Sequence, residues 1–417
     1  MIISHPTGNA NVRNAAQALA EGCGLEAFFT TIAVFESGFL SRISALPGLG
    51  EFKRRRYPEI LKSVTNTSPF LELLRLTSLK IGFHQFLHHE FGLASVDAIY
   101  RNLDRHVAKK VACFAPGPVY CYEDGALETF RAAKKVHSKC LYDLPIGYWR
   151  AAHSLFLEES QLQQEWAPTL SGLSDSSRKL ERKDEELRLA DRIFVASTFT
   201  RRTLEQCPFP IAPISVVPYG ADIGMCSSPQ KTTKPSDPLR ILFVGGLGQR
   251  KGLSYLLEAI KTLGPSVHLT LIGRKSGDSC RPLDVATDTH RWIPSLPHED
   301  ILREMRNHDI FVFPSLFEGF GLVITEALSQ GLPVITTPNT CGPDVISEGV
   351  DGFIIPIRDS EAIAEKIELL LRDRNLLAAM REAAQEKARQ LTWANYRARL
   401  ISDIKTHVLP QADISHG

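Results

Sequence analysis

Two doubly wound α/β domains facing a cleft are the fold class this sequence predicts, and three observations predict it. Apolar strand-like runs alternate with periodic helix-like runs along most of the chain. One stretch, 223–237, interrupts that alternation with Ser, Pro, Lys and Thr and reads as a linker. In the second half, two glycine-rich turns each join a strand pattern to a helix pattern. At 417 residues the chain suffices for two domains of this kind. The expected boundaries are 1–222 for a first Rossmann-like domain, 238–391 for a second, and 392–417 for a terminal helical segment.

In order along the chain, Ser4 to Arg13 holds a glycine turn and precedes a helical run from Asn14 to Ala20, a βα opening. From about Pro47 to Asp97 the pattern is less regular, with Lys53-Arg-Arg-Arg56 and an aromatic-histidine run from Phe83 to Phe91. Val119 to Gly125, a helix to about Val136, and Lys139 to Trp149 form another βαβ unit. A charged helix ends at Asp191, Arg192–Ala196 is a strand, and Ser197 caps the next helix. Ile214 to Asp222 closes the first domain. In the second, Ile241, Leu269–Ile272, Ile310, Val334 and Phe353–Ile355 mark strands, and 361–390 reads as one or two amphipathic helices. Thr392 to Tyr396 starts the last helix. No internal repeat is evident.

Bulk composition excludes some classes. With 48 basic against 47 acidic residues, no field for nucleic acid follows from the total, and no nucleic-acid partner is expected. The first 150 residues hold 18 Lys and Arg against 13 Asp and Glu, a surplus of five. The eight cysteines include no Cys-x-x-Cys pair, which favours reduced thiols over a disulfide or zinc framework. No signal peptide and no run of membrane-spanning length is read in the sequence. A soluble cytoplasmic enzyme is expected, with peripheral contact at the inner membrane through the basic first half left open.

The chemistry concentrates between Phe313 and Glu326. Gly319 and Gly321 break the turn between the strand before Pro314 and the helix from Leu322, so backbone N–H groups and a helix start are available to an anion. Glu318 on the turn and Glu326 on the helix, eight positions apart, offer carboxylates to two parts of one ligand, and carboxylates accept paired bonds from sugar or ribose hydroxyls. Upstream, Leu239–Gly245 is a strand followed by Gly246-Leu-Gly248-Gln-Arg250-Lys251-Gly252 and the helix Leu253 to Leu263. Cations at a helix start oppose the helix dipole, so Arg250 and Lys251 read as functional rather than as a solvated helix end. Two such turns in one domain point to a nucleotide diphosphate held between them.

Taken together, the Glu-x7-Glu spacing, the Gly-x-x-x-x-Arg-Lys-Gly run and Gly331-Leu-Pro-Val334 resemble the retaining, nucleotide-sugar-dependent glycosyltransferases of the GT-B fold, family 4. The resemblance extends through Gly342-Pro-Asp344 and Gly349 to Pro356, covers 186 to about 390 well, and covers the first half more loosely. It implies that Arg250 and Lys251 neutralise the departing diphosphate, that Glu318 meets the donor sugar and that Glu326 meets the ribose. Gly246, Gly248, Gly319, Phe320, Gly321, Leu322 and Val323 would line the donor, with base recognition around Trp292 and Ile293. On the acceptor side it implies Gly8, Asn9, Asn11, Glu123 and Asp143. Many relatives carry a histidine where this chain has Asp143, a departure that leaves the donor sugar open. Asp143 would touch the sugar or the acceptor hydroxyl, or cap a turn before Pro145. No Asp-x-Asp motif occurs, so a metal-independent reaction without cofactor is expected. The two glutamates are not read as a glycosidase-type acid and nucleophile, because cations already stabilise the leaving group.

His84 and His88 share a helical spacing with His89 beside them; an aromatic-rich surface or acceptor-side helix is favoured over a metal site. Tyr148 and Trp149 suit either acceptor stacking or core packing. The expected activity is transfer of a hexose-type sugar to a glycan, lipid-linked or small-molecule acceptor. The alternatives are a GT-B sugar phosphorylase, a sugar-nucleotide epimerase, or a non-catalytic nucleotide-sugar-binding protein.

Overall fold

Short, nearly continuous apolar segments buried on both faces are what parallel sheets require, and the chain supplies them twice. The computed structural model describes residues 1–38, 52, 55–222, 237–277 and 279–409. In the first domain, β1 (Ile2–Ser4), β2 (Ala27–Thr30), β3 (Thr65–Thr67), β4 (Val119–Tyr122), β5 (Cys140–Leu144), β6 (Arg192–Val195) and β7 (Ile214–Val216) form one sheet in the order β3-β2-β1-β4-β5-β6-β7. In the second, β8 (Leu239–Val244), β9 (Val267–Ile272), β10 (Arg291–Ile293), β11 (Ile310–Phe313), β12 (Val334–Thr336) and β13 (Gly352–Ile354) run β10-β9-β8-β11-β12-β13. Every pairing among these strands is parallel. Neighbours on β1 show the double winding: Ile2 and Ile3 are both fully buried yet belong to different core clusters, one on each face.

Strand order reverses between β1 and β4 and again between β8 and β11. Loops at the carboxyl ends of strands flanking such a switch point are where open α/β sheets bind ligands. The turn after β8 carries Arg250 and Lys251, and the loop after β11 carries Glu318.

The structure departs from the sequence reading in several places. β2, β3 and β10 are additional strands. β3, Thr-Asn-Thr at the sheet edge and partly exposed, has no apolar alternation to betray it. The first helix is Ala10–Gly22, longer than the run from Asn14, with Asn9 at its cap position. His84 and His88 do not share a regular helix: His84–Leu87 is a single 3₁₀ turn. Asp143 lies within β5 rather than on a loop. Residues 223–236 of the expected linker, Lys53 and Arg54 of the basic run, and 410–417 fall outside the described residues.

The domains meet through specific polar contacts. Glu159, fully buried on the first-domain helix Trp149–Leu162, accepts from Gln249 Nε2 (2.7 Å), Tyr255 O–H (2.9 Å) and Arg358 Nε (2.6 Å), all in the second domain. The last helix, Trp393–His407, lies against Ala10–Gly22, where Arg397 Nη1 donates to Asn14 Oδ1 at 2.7 Å. Among the described residues, the seven cysteines are free thiols and no helix is long and apolar enough to cross a membrane.

Candidate functional site

Residues from the turns after β8 and β11 converge on one carboxylate oxygen. Glu318 Oε1 accepts from Arg250 Nη1 (3.0 Å), from Ser315 Oγ (3.0 Å) and from Lys251 Nζ. Arg250 Nη1 also donates to the Phe317 carbonyl at 2.9 Å. No donor among the described residues reaches Oε2. Lys251 sits with its ammonium 4.8 Å over the Phe313 ring. Burial and the neighbouring Arg250 pull Lys251 down to about 8, against the pull of Glu318. Burial pushes the Glu318 carboxyl upward, but the two cations prevail and hold it below the ordinary carboxylate range. The cluster thus gathers two cations against one buried anion.

Two glycines make this convergence sterically feasible. Gly252 adopts φ +67°, and a Cβ there would sit 2.0 Å from the Pro314 carbonyl oxygen, so the β8 turn nests against the β11 loop only without a side chain. A Cβ on Gly319 would lie 1.8 Å from the Pro145 carbonyl oxygen, in the other domain. The Gly319 carbonyl in turn accepts from Ser197 Oγ (2.5 Å) and Thr200 Oγ1 (2.8 Å). A Cβ on Gly248 would lie 3.0 Å from Ser276 of its own domain and 3.2 Å from Thr169 of the first. Both glycines are expected from the sequence to line the donor; at Gly319 the first-domain backbone also comes close. A glycine signals that something comes close, without saying what.

The remaining second-domain residues spread outward. Leu322 and Val323 open the helix Leu322–Ser329 and are half-buried, while Gly246 faces Ser276 Oγ. Phe320 is buried and packs on Tyr219, ring centroids 5.3 Å apart, so its side chain anchors the loop to the first domain. Glu326 lies 3.9 Å from His298 Nδ1, and burial raises its carboxyl, opposed by His298 and reinforced by Asp222. Trp292 donates Nε1–H to the Gly273 carbonyl at 2.9 Å and carries Lys275 5.0 Å over its ring; Ile293 follows it on β10. Gly321 separates Glu318 from this helix with φ +89°.

In the first domain, the Glu123 N–H donates to the Asp143 carbonyl at 3.1 Å. Asp143 accepts from Tyr120 O–H at 2.6 Å and is 3% exposed; burial pushes its carboxyl up to about 7, offset in part by tyrosine hydroxyls. It therefore sits inside a tyrosine-lined core. Glu123, on the loop after β4, turns to Lys183 at 3.5 Å, and burial pushes it to about 7 against that ammonium. Asn11 is buried, donating to Tyr219 O–H at 3.3 Å. Gly8 lies against Tyr57 and its carbonyl accepts from Arg13, whereas Asn9 is exposed. Tyr148 is fully buried with its hydroxyl on Asp184 at 2.7 Å, which makes it a core residue.

A cavity of about 300 Å³ opens where the domains face each other, and sequence reasoning did not assemble it. Arg250 and Phe317 enter it from the second domain, and Trp149, His153, Asp175 and Lys183 from the first. Of these, Arg250 and Trp149 are singled out by the sequence; the others have no local pattern in common. Nearby, His89, Glu90 and Asp175 bring ligand-type atoms within 4.8 Å of one another. That group is already committed: Ser176 takes Glu90, at 2.7 Å through its N–H, and Lys179 holds Asp175 at 2.9 Å.

Comparison with known proteins is decided by the second domain. Residues 227–387 match the family model of the glycosyl transferases group 1. The chain is 28% identical over 185 residues to a phosphatidyl-myo-inositol mannosyltransferase of Mycobacterium leprae, covering 43% of this chain and 50% of that protein. The chain thus spans about half the length of the curated relatives it matches. In structure the chain superposes on a sucrose-phosphate synthase from Thermosynechococcus elongatus with a TM-score of 0.64 at 18% identity, covering 97% and 98% of the two chains. It also superposes on the Anabaena protein HepE in complex with UDP, with a TM-score of 0.60 at 13% identity, covering 97% and 99%. These likenesses, with the two parallel sheets, make the fold GT-B.

Proposed function

We propose that this chain is a retaining, metal-independent glycosyltransferase that moves a hexose-type sugar from a nucleoside diphosphate donor to an acceptor hydroxyl. The observation carrying this reading is the convergence of Arg250, Lys251 and Glu318 from the two strands at the β8/β11 switch point. A departing diphosphate needs positive charge, and preorganised cations in a largely buried site supply it without reorganisation. The carbon–oxygen bond at the anomeric carbon breaks, its electron pair stays on the phosphate oxygen, and the acceptor oxygen forms the new bond on the same face. The acceptor proton passes to the departing phosphate. The free second oxygen of Glu318 is available to a donor-sugar hydroxyl, and Glu326 to the ribose. The cavity beside Arg250, with Trp149 as an apolar wall and charged groups around it, suits a hydroxyl-bearing acceptor such as a glycan, a lipid-linked sugar or a small molecule. The mannosyltransferase name of one relative and the UDP in the HepE complex support this reading.

Thermal melting with UDP, GDP, ADP and dTDP, on wild type and Glu326→Ala, tests it. A ligand at 100 times its Kd stabilises by about 2.7 kcal/mol. One diphosphate should raise the wild-type melting temperature and leave the variant's unmoved. No shift with any of the four would refute the nucleotide-sugar reading.

A further inference from the structure

The turn that carries the two cations is held from both domains. On the second-domain side, the Arg250 carbonyl accepts from the Leu316 N–H (2.9 Å) and from Ser315 Oγ (3.1 Å), both on the loop after β11. On the first-domain side the contact is Gln249, the residue immediately before Arg250, and it is fully buried. Its main-chain N–H donates to Thr169 Oγ1 at 2.8 Å. Its Nε2 donates to Glu159 Oε1 at 2.7 Å and to Ser254 Oγ at 2.6 Å, while its Oε1 accepts from the Ser254 N–H at 3.3 Å. Thr169 is buried too, and its hydroxyl donates to the Trp166 carbonyl at 2.7 Å. A hydroxyl has one proton, so with that proton on Trp166 the Thr169 oxygen is left as an acceptor for Gln249.

Gln249 spends its amide within the protein and is closed to solvent, so its contacts act on the turn and not on a ligand. The turn is internally bonded: the Lys251 N–H donates to the Gly248 carbonyl at 3.1 Å and the Gly252 N–H to the Gln249 carbonyl at 2.8 Å. A displacement of Gln249 is therefore passed to Arg250 and Lys251, one and two residues on. A buried main-chain N–H needs an acceptor, and Thr169 supplies it from the opposite domain. Glu159 stands on the helix Trp149–Leu162, whose Ala152, His153 and Phe156 line the cavity beside Arg250. One helix thus walls that cavity and supports the cations.

We propose that Gln249 and Thr169 are positioning residues, through which the first domain sets the place of Arg250 and Lys251. That these cations serve a departing diphosphate rests on the glycosyltransferase reading; their placement by the first domain does not.

Three variants test the proposal. Thr169→Val keeps the shape and removes the acceptor, Gln249→Met keeps the length and removes the amide, and Thr169→Ser keeps the acceptor. In all three Glu159 retains Tyr255 and Arg358, so the domains stay joined. An NMR titration of ligand-free protein with lysine labelled at the ε-carbon, the Lys251 signal assigned through Lys251→Arg, reads the placement directly. Burial is the chief cause of the low Lys251 value, with Arg250 adding to it and Glu318 opposing it. Release of the turn into water should therefore raise the midpoint from about 8 toward the ordinary lysine value in Thr169→Val and Gln249→Met. Thr169→Ser should titrate as wild type does. A loss of stability alone lowers the melting temperature and leaves a native-state titration where it was. The nucleoside diphosphate that stabilises wild type should also bind Thr169→Val and Gln249→Met about tenfold or more weakly. An unmoved Lys251 midpoint in both variants, or a Thr169→Ser midpoint displaced like that of Thr169→Val, would overturn the proposal. A wild type that responds to no diphosphate would refute the nucleotide reading alone, and the titration would still decide the placement.

Discussion

Glu318→Gln should destabilise the protein more at pH 7 than at pH 9, by an amount that Lys251 sets. In the native protein the Lys251 ammonium titrates at about 8, so at pH 7 it is mostly charged and Glu318 is its carboxylate partner. With Glu318 neutralised, burial and Arg250 both push the ammonium further down. The cost through Lys251 has a ceiling, because once its pKa falls below the ambient pH the amine sheds its proton. Forcing a group of pKa about 8 to be neutral costs about 1.4 kcal/mol at pH 7 and under about 0.1 kcal/mol at pH 9, at 1.36 kcal/mol per unit. The sign is that of a base: the charged form exists below the pKa, so the penalty shrinks as pH rises. Loss of the bonds from Arg250 and Ser315 adds a contribution common to both pH values. Urea unfolding of wild type and variant at pH 7 and pH 9 reads the difference directly. An equal loss at both, or a larger one at pH 9, would refute the idea that Glu318 keeps Lys251 charged.

Two further substitutions probe the surroundings. Asp143 has its carboxyl raised from 3.8 to about 7, so the stability this brings is full below about 3.8 and is lost as pH rises through about 7. Asp143→Asn does not titrate and should gain about 2–3 kcal/mol on wild type between pH 5 and pH 8 in denaturant unfolding; a pH-independent difference would contradict the buried-carboxyl account. Glu159→Gln removes the charge that Gln249, Tyr255 and Arg358 share across the domain interface, at a cost of about 2–5 kcal/mol. Its small-angle scattering profile should report a more open particle, and a profile identical to wild type would show that Glu159 does not latch the domains.

The GT-B architecture was legible because its signals are local. Apolar runs bounded by glycine turns announce buried parallel strands, and β8, β11 and the helices after them start close to where periodicity places them. Where the pattern was weak, reading failed for a physical reason. β3 is three polar residues on a sheet edge, stabilised by its pairing with β2 rather than by any burial of its own. His84 and His88 have helical spacing, but the backbone there is only one 3₁₀ turn.

What the sequence determines by itself is chemistry confined to a few neighbouring residues: glycines where a chain must come close, cations and carboxylates at strand-to-helix turns, and the alternation of strand and helix in two domains. Only the tertiary structure decides partners. Glu318 and Lys251 are 67 residues apart, and they meet because β8 and β11 lie side by side in the sheet. Gly319 turns out to admit the first domain's backbone, and Asp143 to be enclosed by tyrosines, because neither the opposing domain nor the burial of a side chain is written in its own neighbourhood. Spacing along a chain constrains what is near within a turn or two; long-range contacts are selected by the packing of whole elements, which is a property of the folded molecule.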